Sequence, residues 1–236
     1  LSMDSCVAIA LRQAPMMNAA RLQVQQAEAA KGSAIDIGQT TLFYENEDLA
    51  RTLPESDGIL KIGVSQSVRF PTVYAAQMGA AKANVALAES RAALSERELT
   101  QAVQLAYLDL LFAMDRLKLM RTQDSTLAEL ERSANLRYET GDTDNLERLS
   151  VQARKREAEV ALASAQADVG IAQVRLAQWM NVTRPVEPTD QGLIALTAPA
   201  HTAVPASHPM LDVYRRNVQL MDRQQRVEKH RLLPDL

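Results

Sequence analysis

Residues 99–120 read Leu-Thr-Gln-Ala-Val-Gln-Leu-Ala-Tyr-Leu-Asp-Leu-Leu-Phe-Ala-Met-Asp-Arg-Leu-Lys-Leu-Met. Leu99, Val103, Ala106, Leu110, Ala113, Leu117 and Met120 recur at alternating steps of four and three, the steps that keep one face of a helix turned toward a partner helix. Leu127 and Ala134 rejoin the row after Asp124. No proline interrupts residues 73–138, and Gly79 is their only glycine. A single helix from Val73 to Tyr138 is predicted, on the order of 100 Å long at 1.5 Å per residue. Upstream, Ala76, Ala80, Ala83, Leu87 and Leu94 form a second row in a different phase, so the packing partner is expected to change near Ser95. Alanine on both flanks suits a helix that touches neighbours on two sides, as in a ring of helices.

Downstream, Thr140-Gly141-Asp142-Thr143 breaks the pattern, and a returning helix is predicted over Asn145–Asn181 with Leu149, Val160, Ala163, Ala167, Ile171 and Val174 along one face. A short connection between long helices makes them antiparallel neighbours, so 72–181 reads as a helical hairpin with its tip at 140–143. The returning arm is the shorter one. A helix from Pro15 to Lys31, closed by Gly32 and Ser33, fits end to end with it, leaving a joint about halfway. Ser5–Arg12 reads as a short helix before that, which makes 1–33 a helical segment.

Between Ala34 and Phe70 the period changes to two. Ile62, Val64, Gln66, Val68 and Phe70 alternate with Gly63, Ser65, Ser67 and Arg69, and Ile35–Glu45 is a second strand candidate, with Ile35, Ile37 and Phe43 on one parity. The polar stretch Asn46–Gly58 makes 34–71 a hairpin with a long loop. Two strands alone are marginal in water, so they require a larger sheet. Residues 182–206 hold Pro185, Pro188, Pro199 and Pro205 and read as an irregular linker. After it, 207–236 starts again. With Pro209 under Pro15, identities fall at Met16/Met210, Arg21/Arg215, Val24/Val218 and Gln25/Gln219, which reads as an internal duplication whose second copy reaches Leu232-Leu233-Pro234-Asp235-Leu236.

Composition narrows function. The net charge of −3 over 236 residues gives no basic surface for nucleic acid. No run approaches the ~20 apolar residues of a spanning helix, and Leu1-Ser2-Met3-Asp4 lacks a signal-peptide pattern, so the chain reads as a mature or trimmed product. Cys6, the only cysteine, reads as a packing residue among Val7, Ile9 and Leu11. Glu96/Glu98 and Asp142/Asp144 read as solvated charge, His201, His208 and His230 lack metal-ligand spacing, and Met16, Met17, Met210 and Met221 read as core filler. No catalytic site, cofactor site or metal site is expected, and no enzyme.

The order of helix, strand pair, very long helix, glycine turn, returning helix and restart resembles the TolC-type outer-membrane efflux proteins. Local phrases carry the likeness: Ala8-Ile9-Ala10-Leu11 before Ala14-Pro15-Met16-Met17, Val64-Ser65-Gln66-Ser67-Val68 before Phe70-Pro71, Arg137-Tyr138-Glu139-Thr140-Gly141-Asp142-Thr143-Asp144-Asn145-Leu146 at the tip, and His208-Pro209-Met210-Leu211. The resemblance implies a mainly α chain with a coiled-coil hairpin, its β-hairpin belonging to an outer-membrane barrel. It implies a homotrimeric passive duct for small molecules or metal ions, reaching from outer membrane into periplasm.

On that reading Ile62, Val64, Val68 and Phe70 face outer-membrane lipid while Gly63, Ser65, Ser67 and Arg69 face a wet lumen. The tip, with Arg137, Tyr138, Thr140, Gly141, Asp142, Thr143 and Leu146, meets a periplasmic adaptor, and the inner-membrane transporter is expected to be of the resistance-nodulation-division (RND) type. The sequence departs from the family in length, with two strands and one hairpin, which cannot complete a barrel. Two other readings compete. A periplasmic adaptor would place strands after the returning helix, and a soluble coiled-coil scaffold would leave the strand near Val64 without a role.

Overall fold

A computed structural model describes residues 1–35, 38–47, 59–189, 192 and 208–233. The elements run α1 (Met3–Gln13), α2 (Pro15–Gly32), β1 (Thr40–Glu47), β2 (Ile59–Gln66), α3 (Pro71–Glu139), α4 (Asn145–Met180) and α5 (Pro209–His230). Helix α3 is continuous for 69 residues, as expected of a stretch with one glycine and no proline after its first residue. The chain divides into two compact units, Leu1–Ala19 with Ser95–Pro205 and Ala20–Leu94 with Ala206–Leu236. The boundary on α3 falls at Ser95, where the apolar row changes phase.

In the first unit the predicted row is the core. Leu99, Val103, Ala106, Tyr107 and Leu110 of α3 pack with Cys6 and Ala10 of α1 and with Leu176, Ala177 and Met180 of α4. Each fully buried Leu or Val contributes about 1.5–3 kcal/mol. Cys6 is enclosed, and burial pushes its thiol pKa up, which keeps it an inert packing group. The corner between α1 and α2 meets the end of α4. Asn181, left-handed at φ 53°, caps α4 and donates from Nδ2 to the Gln13 carbonyl at 3.2 Å. Tyr107 donates its hydroxyl to the Leu1 carbonyl at 3.1 Å, which ties α3 to the start of α1.

The hairpin register is visible in a ladder of polar pairs stepping away from the turn: Arg137–Glu147, Asn135–Gln152, Asp124–Lys155, Arg116–Asp168 and Asp109–Arg175. Most are exposed and contribute little each. Lys155 is the exception, nearly buried and held at 2.6 Å by Asp124 across the hairpin and at 3.0 Å by Glu159 on its own helix.

The apolar stripe predicted on α4 does occupy one face of the helix, but it is not the face that packs. The stripe of Leu149, Val160, Ala163, Ala167, Ile171 and Val174 is exposed, and the buried face is Ala158, Ala165, Leu176, Ala177 and Met180. Both rows have helical spacing, and they lie on opposite sides of the helix at 3.6 residues per turn. Helix α3 repeats the arrangement, with exposed Leu105, Phe112 and Leu119 opposite the Leu99–Leu110 seam. Periodicity fixes a stripe, and the side that finds a partner within the chain is decided by the alanines that let α4 come close.

In the second unit β1 and β2 pair antiparallel, from Thr40↔Gln66 to Glu47↔Ile59. The first strand starts five residues later than predicted, so Ile35 precedes it, and Ile37 lies outside the described residues. The second ends at Gln66, which leaves Val68 and Phe70 in the connection to α3. Two causes are evident. Gln66 turns back, its Nε2 donating to the Gly38 carbonyl at 2.7 Å. Phe70 precedes the proline that opens α3, its carbonyl accepting from Val73 N at 2.8 Å. Helix α5 begins at Pro209, the residue aligned with Pro15, with His208 capping it through Nδ1.

Candidate functional site

Two exposed features carry the functional reading, the hairpin tip in the first unit and the sheet in the second. The tip is built almost wholly from local backbone chemistry. Helix α3 closes with a paired cap in which Asp142 N donates to the Arg137 carbonyl at 2.8 Å and Gly141 N to the Tyr138 carbonyl at 3.1 Å. Gly141 has φ 77°, the left-handed geometry this cap demands, and a Cβ there would meet nothing within 4 Å. Glycine is therefore set by conformation and not by space. Asp144 then caps α4, its Oδ1 accepting from Glu147 N at 2.8 Å, while Thr143 donates its hydroxyl to the Glu147 carboxylate.

Side chains knit the two arms above this turn. Arg137 reaches Glu147 at 3.4 Å and Asp142 at 3.8 Å. The guanidinium of Arg148 lies over the Tyr138 ring at 4.2 Å, a cation–π contact that no sequence spacing announces. The structure thus brings together Arg137, Tyr138, Thr140, Gly141, Asp142 and Thr143. Leu146 is 71% exposed beside them, and Leu136 and Leu149 are exposed as well. Leu136 was absent from the sequence reading, although its position off the seam was a signal. An acidic turn tied by local hydrogen bonds and bearing exposed leucines has the chemistry of a protein contact.

The sheet separates its faces sharply. Leu42, Tyr44, Leu60, Ile62 and Val64 project to one side, with Leu42 opposite Val64 and Tyr44 opposite Ile62, and all are exposed, Leu42 at 76%. The other side holds Thr41, Phe43, Glu45, Lys61, Gly63 and Ser65. Phe43 lies on Gly63, where a Cβ would fall 2.8 Å from Cε1 of the ring, so the aromatic ring covers the glycine. Of the four strand residues expected to face lipid, Ile62 and Val64 share this apolar face, with Leu42 and Tyr44 joining them from β1.

Among the described residues there is no group of three metal-ligating side chains and no helix long and apolar enough to cross a membrane. His208 is engaged in capping and Met17 in the core. His201 lies outside the described residues.

No protein-family model and no curated protein matches the chain. Solved structures do. The outer-membrane channel OprN superposes with a TM-score of 0.77 at 16% identity, over 99% of this chain and 56% of the channel. The Campylobacter jejuni CmeC outer membrane channel gives 0.76 at 13%, over 99% and 54%, and the outer membrane protein VceC from Vibrio cholerae gives 0.75 at 14%, over 99% and 60%. The fold is TolC-like. The chain spans little more than half the length of these TolC-like channels, and the likeness at such identities is one of fold. These solved structures are outer-membrane channels, and they lend no support to the adaptor architecture.

Proposed function

We propose that this chain is part of an outer-membrane channel of a tripartite efflux system, a passive conduit for small molecules or metal ions. The observation that carries the reading is a TolC-like fold whose two strands expose an apolar patch, Leu42, Tyr44, Leu60, Ile62 and Val64, on one face. A bilayer demands that face from a strand whose other side is wet, and a soluble sheet of two strands would hide it. Two strands are too few to close a barrel, so the rest of the wall comes from other segments and copies.

A homotrimer is supported by the rows on opposite faces of both hairpin arms. Leu105, Phe112 and Leu119 on α3 and Val160, Ile171 and Val174 on α4 are left exposed by the described residues of one chain, and contiguous exposed apolar rows mark contacts with neighbours. The tip, with Arg137, Tyr138, Thr140, Gly141, Asp142, Thr143 and Leu146, docks a periplasmic adaptor that links the duct to an RND-type inner-membrane transporter. A conduit needs no catalytic group.

Envelope fractionation of the native host, with a photo-crosslinking residue at Leu146, tests this. The expected result is recovery with the outer membrane and a crosslink to a periplasmic protein bearing a helical hairpin. Recovery in the soluble periplasmic fraction would overturn the reading.

A further inference from the structure

The second unit contains a groove of about 620 Å³ between α3 and α5 that neither the sheet nor the tip accounts for. Four cations line it: Lys82 from α3, and Arg216, Arg223 and Arg226 from α5, with Asp222 the only carboxylate among the described residues that line it. On α5 the three arginines occupy one flank of the helix, beside the buried Leu220 and Val227.

Among the described residues no ion pair engages any of these four cations, and Arg216 only donates to the Gln219 side chain at 3.3 Å. Gly79 matters here. A Cβ at that position would lie 3.9 Å from Nη1 and 4.0 Å from Cδ of Arg223, so the arginine stem runs along the α3 backbone, and a longer side chain would lift it away. In a chain of net charge −3, four unpaired cations gathered in one concavity repel one another until an anion enters.

We propose that this groove binds phosphate groups. Planar guanidinium forks match phosphate oxygens two at a time, and three forks with an ammonium suit at least two phosphates held together. Such a ligand would bridge α3 and α5. The chemistry is common to free diphosphates and to anionic phospholipid headgroups, and the proposal is independent of the duct reading.

The test uses the 236-residue chain in neutral detergent, titrated calorimetrically with inorganic pyrophosphate, and in parallel its flotation with phosphatidylglycerol vesicles against phosphatidylcholine vesicles. The expected result is binding to at least one anionic probe that weakens with added salt. It falls at least tenfold in the Arg223→Gln/Arg226→Gln variant and less than twofold in Arg154→Gln/Arg156→Gln, which removes the same charge from α4. Pyrophosphate binding lost in the groove variant supports a soluble ligand, and vesicle binding alone, lost in the same way, supports a headgroup. Helical circular dichroism checks folding, and Lys82→Gln provides the same comparison from the other wall should the double variant unfold. No binding to either probe, or equal loss in both double variants, would overturn the proposal.

Discussion

Leu110 and Ile62 are similar in size and hydrophobicity, yet the first is fully buried and the second is 68% exposed. The contrast extends to their surroundings. The hairpin core closes on itself through α1, α3 and α4, whereas among the described residues nothing covers Leu42, Tyr44, Leu60, Ile62 and Val64. Apolar pattern therefore records that a partner exists, and only the fold reveals whether that partner is inside the chain. In the core it is the returning helix. At the sheet we propose that it is the bilayer.

The contrast can be broken most directly at its strong end. Leu110→Ala is expected to destabilise the chain by about 3 kcal/mol through lost burial and a residual cavity, read from urea unfolding by circular dichroism, while Ile62→Ala should shift the same curve by less than about 0.5 kcal/mol. Equal effects would mean that the sheet face is covered after all. Charge sharpens the other side: Ile62→Lys should leave the urea midpoint unchanged but cost about 2 kcal/mol of partition into lipid bilayers, measured by vesicle flotation.

Gly141→Ala should cost about 1 kcal/mol, because alanine must adopt the left-handed cap conformation, and thermal unfolding would register it as a lower midpoint.

The smallest effect concerns Lys155. Its hydrogen bond to Asp124, with a second to Glu159, raises its pKa above the usual 10.5. A raised lysine adds stability that is fully present below the unfolded value and is lost as pH rises through the folded one. Stability should therefore be level in this respect through neutral pH and fall at strongly alkaline pH, and Lys155→Gln should lack that fall in a pH series of urea midpoints.

What the sequence made legible follows the range of the interactions involved. The tip could be read because its determinants are local, with Gly141 supplying a left-handed residue and Asp144 a cap within a few positions. The change of partner at Ser95 was readable because a phase shift in an apolar row is itself a pattern. The strand ends were not, since the limit at Gln66 depends on where β1 begins, and pairing is a relation between distant residues. Nor was the orientation of α4, because two apolar rows on one helix look alike until alanine at Ala158 and Ala165 is seen to admit close packing. The stacking of Arg148 on Tyr138 was equally hidden, as it joins two helices across the turn.

The ladder of pairs climbing from that turn has a kinetic consequence. Arg137–Glu147 closes a short loop, and each later rung as far as Asp109–Arg175 extends a structure already joined, so each step adds little loop-closure entropy. The hairpin is built to zip from Gly141 outward. Helix α1 has no such path, because the hydroxyl of Tyr107 meets the Leu1 carbonyl across 106 residues of sequence, and it docks only once both arms exist. Pulse-labelled hydrogen exchange during refolding should accordingly protect amides near residues 130–152 before those of α1, and the reverse order would refute a zipper starting at the tip.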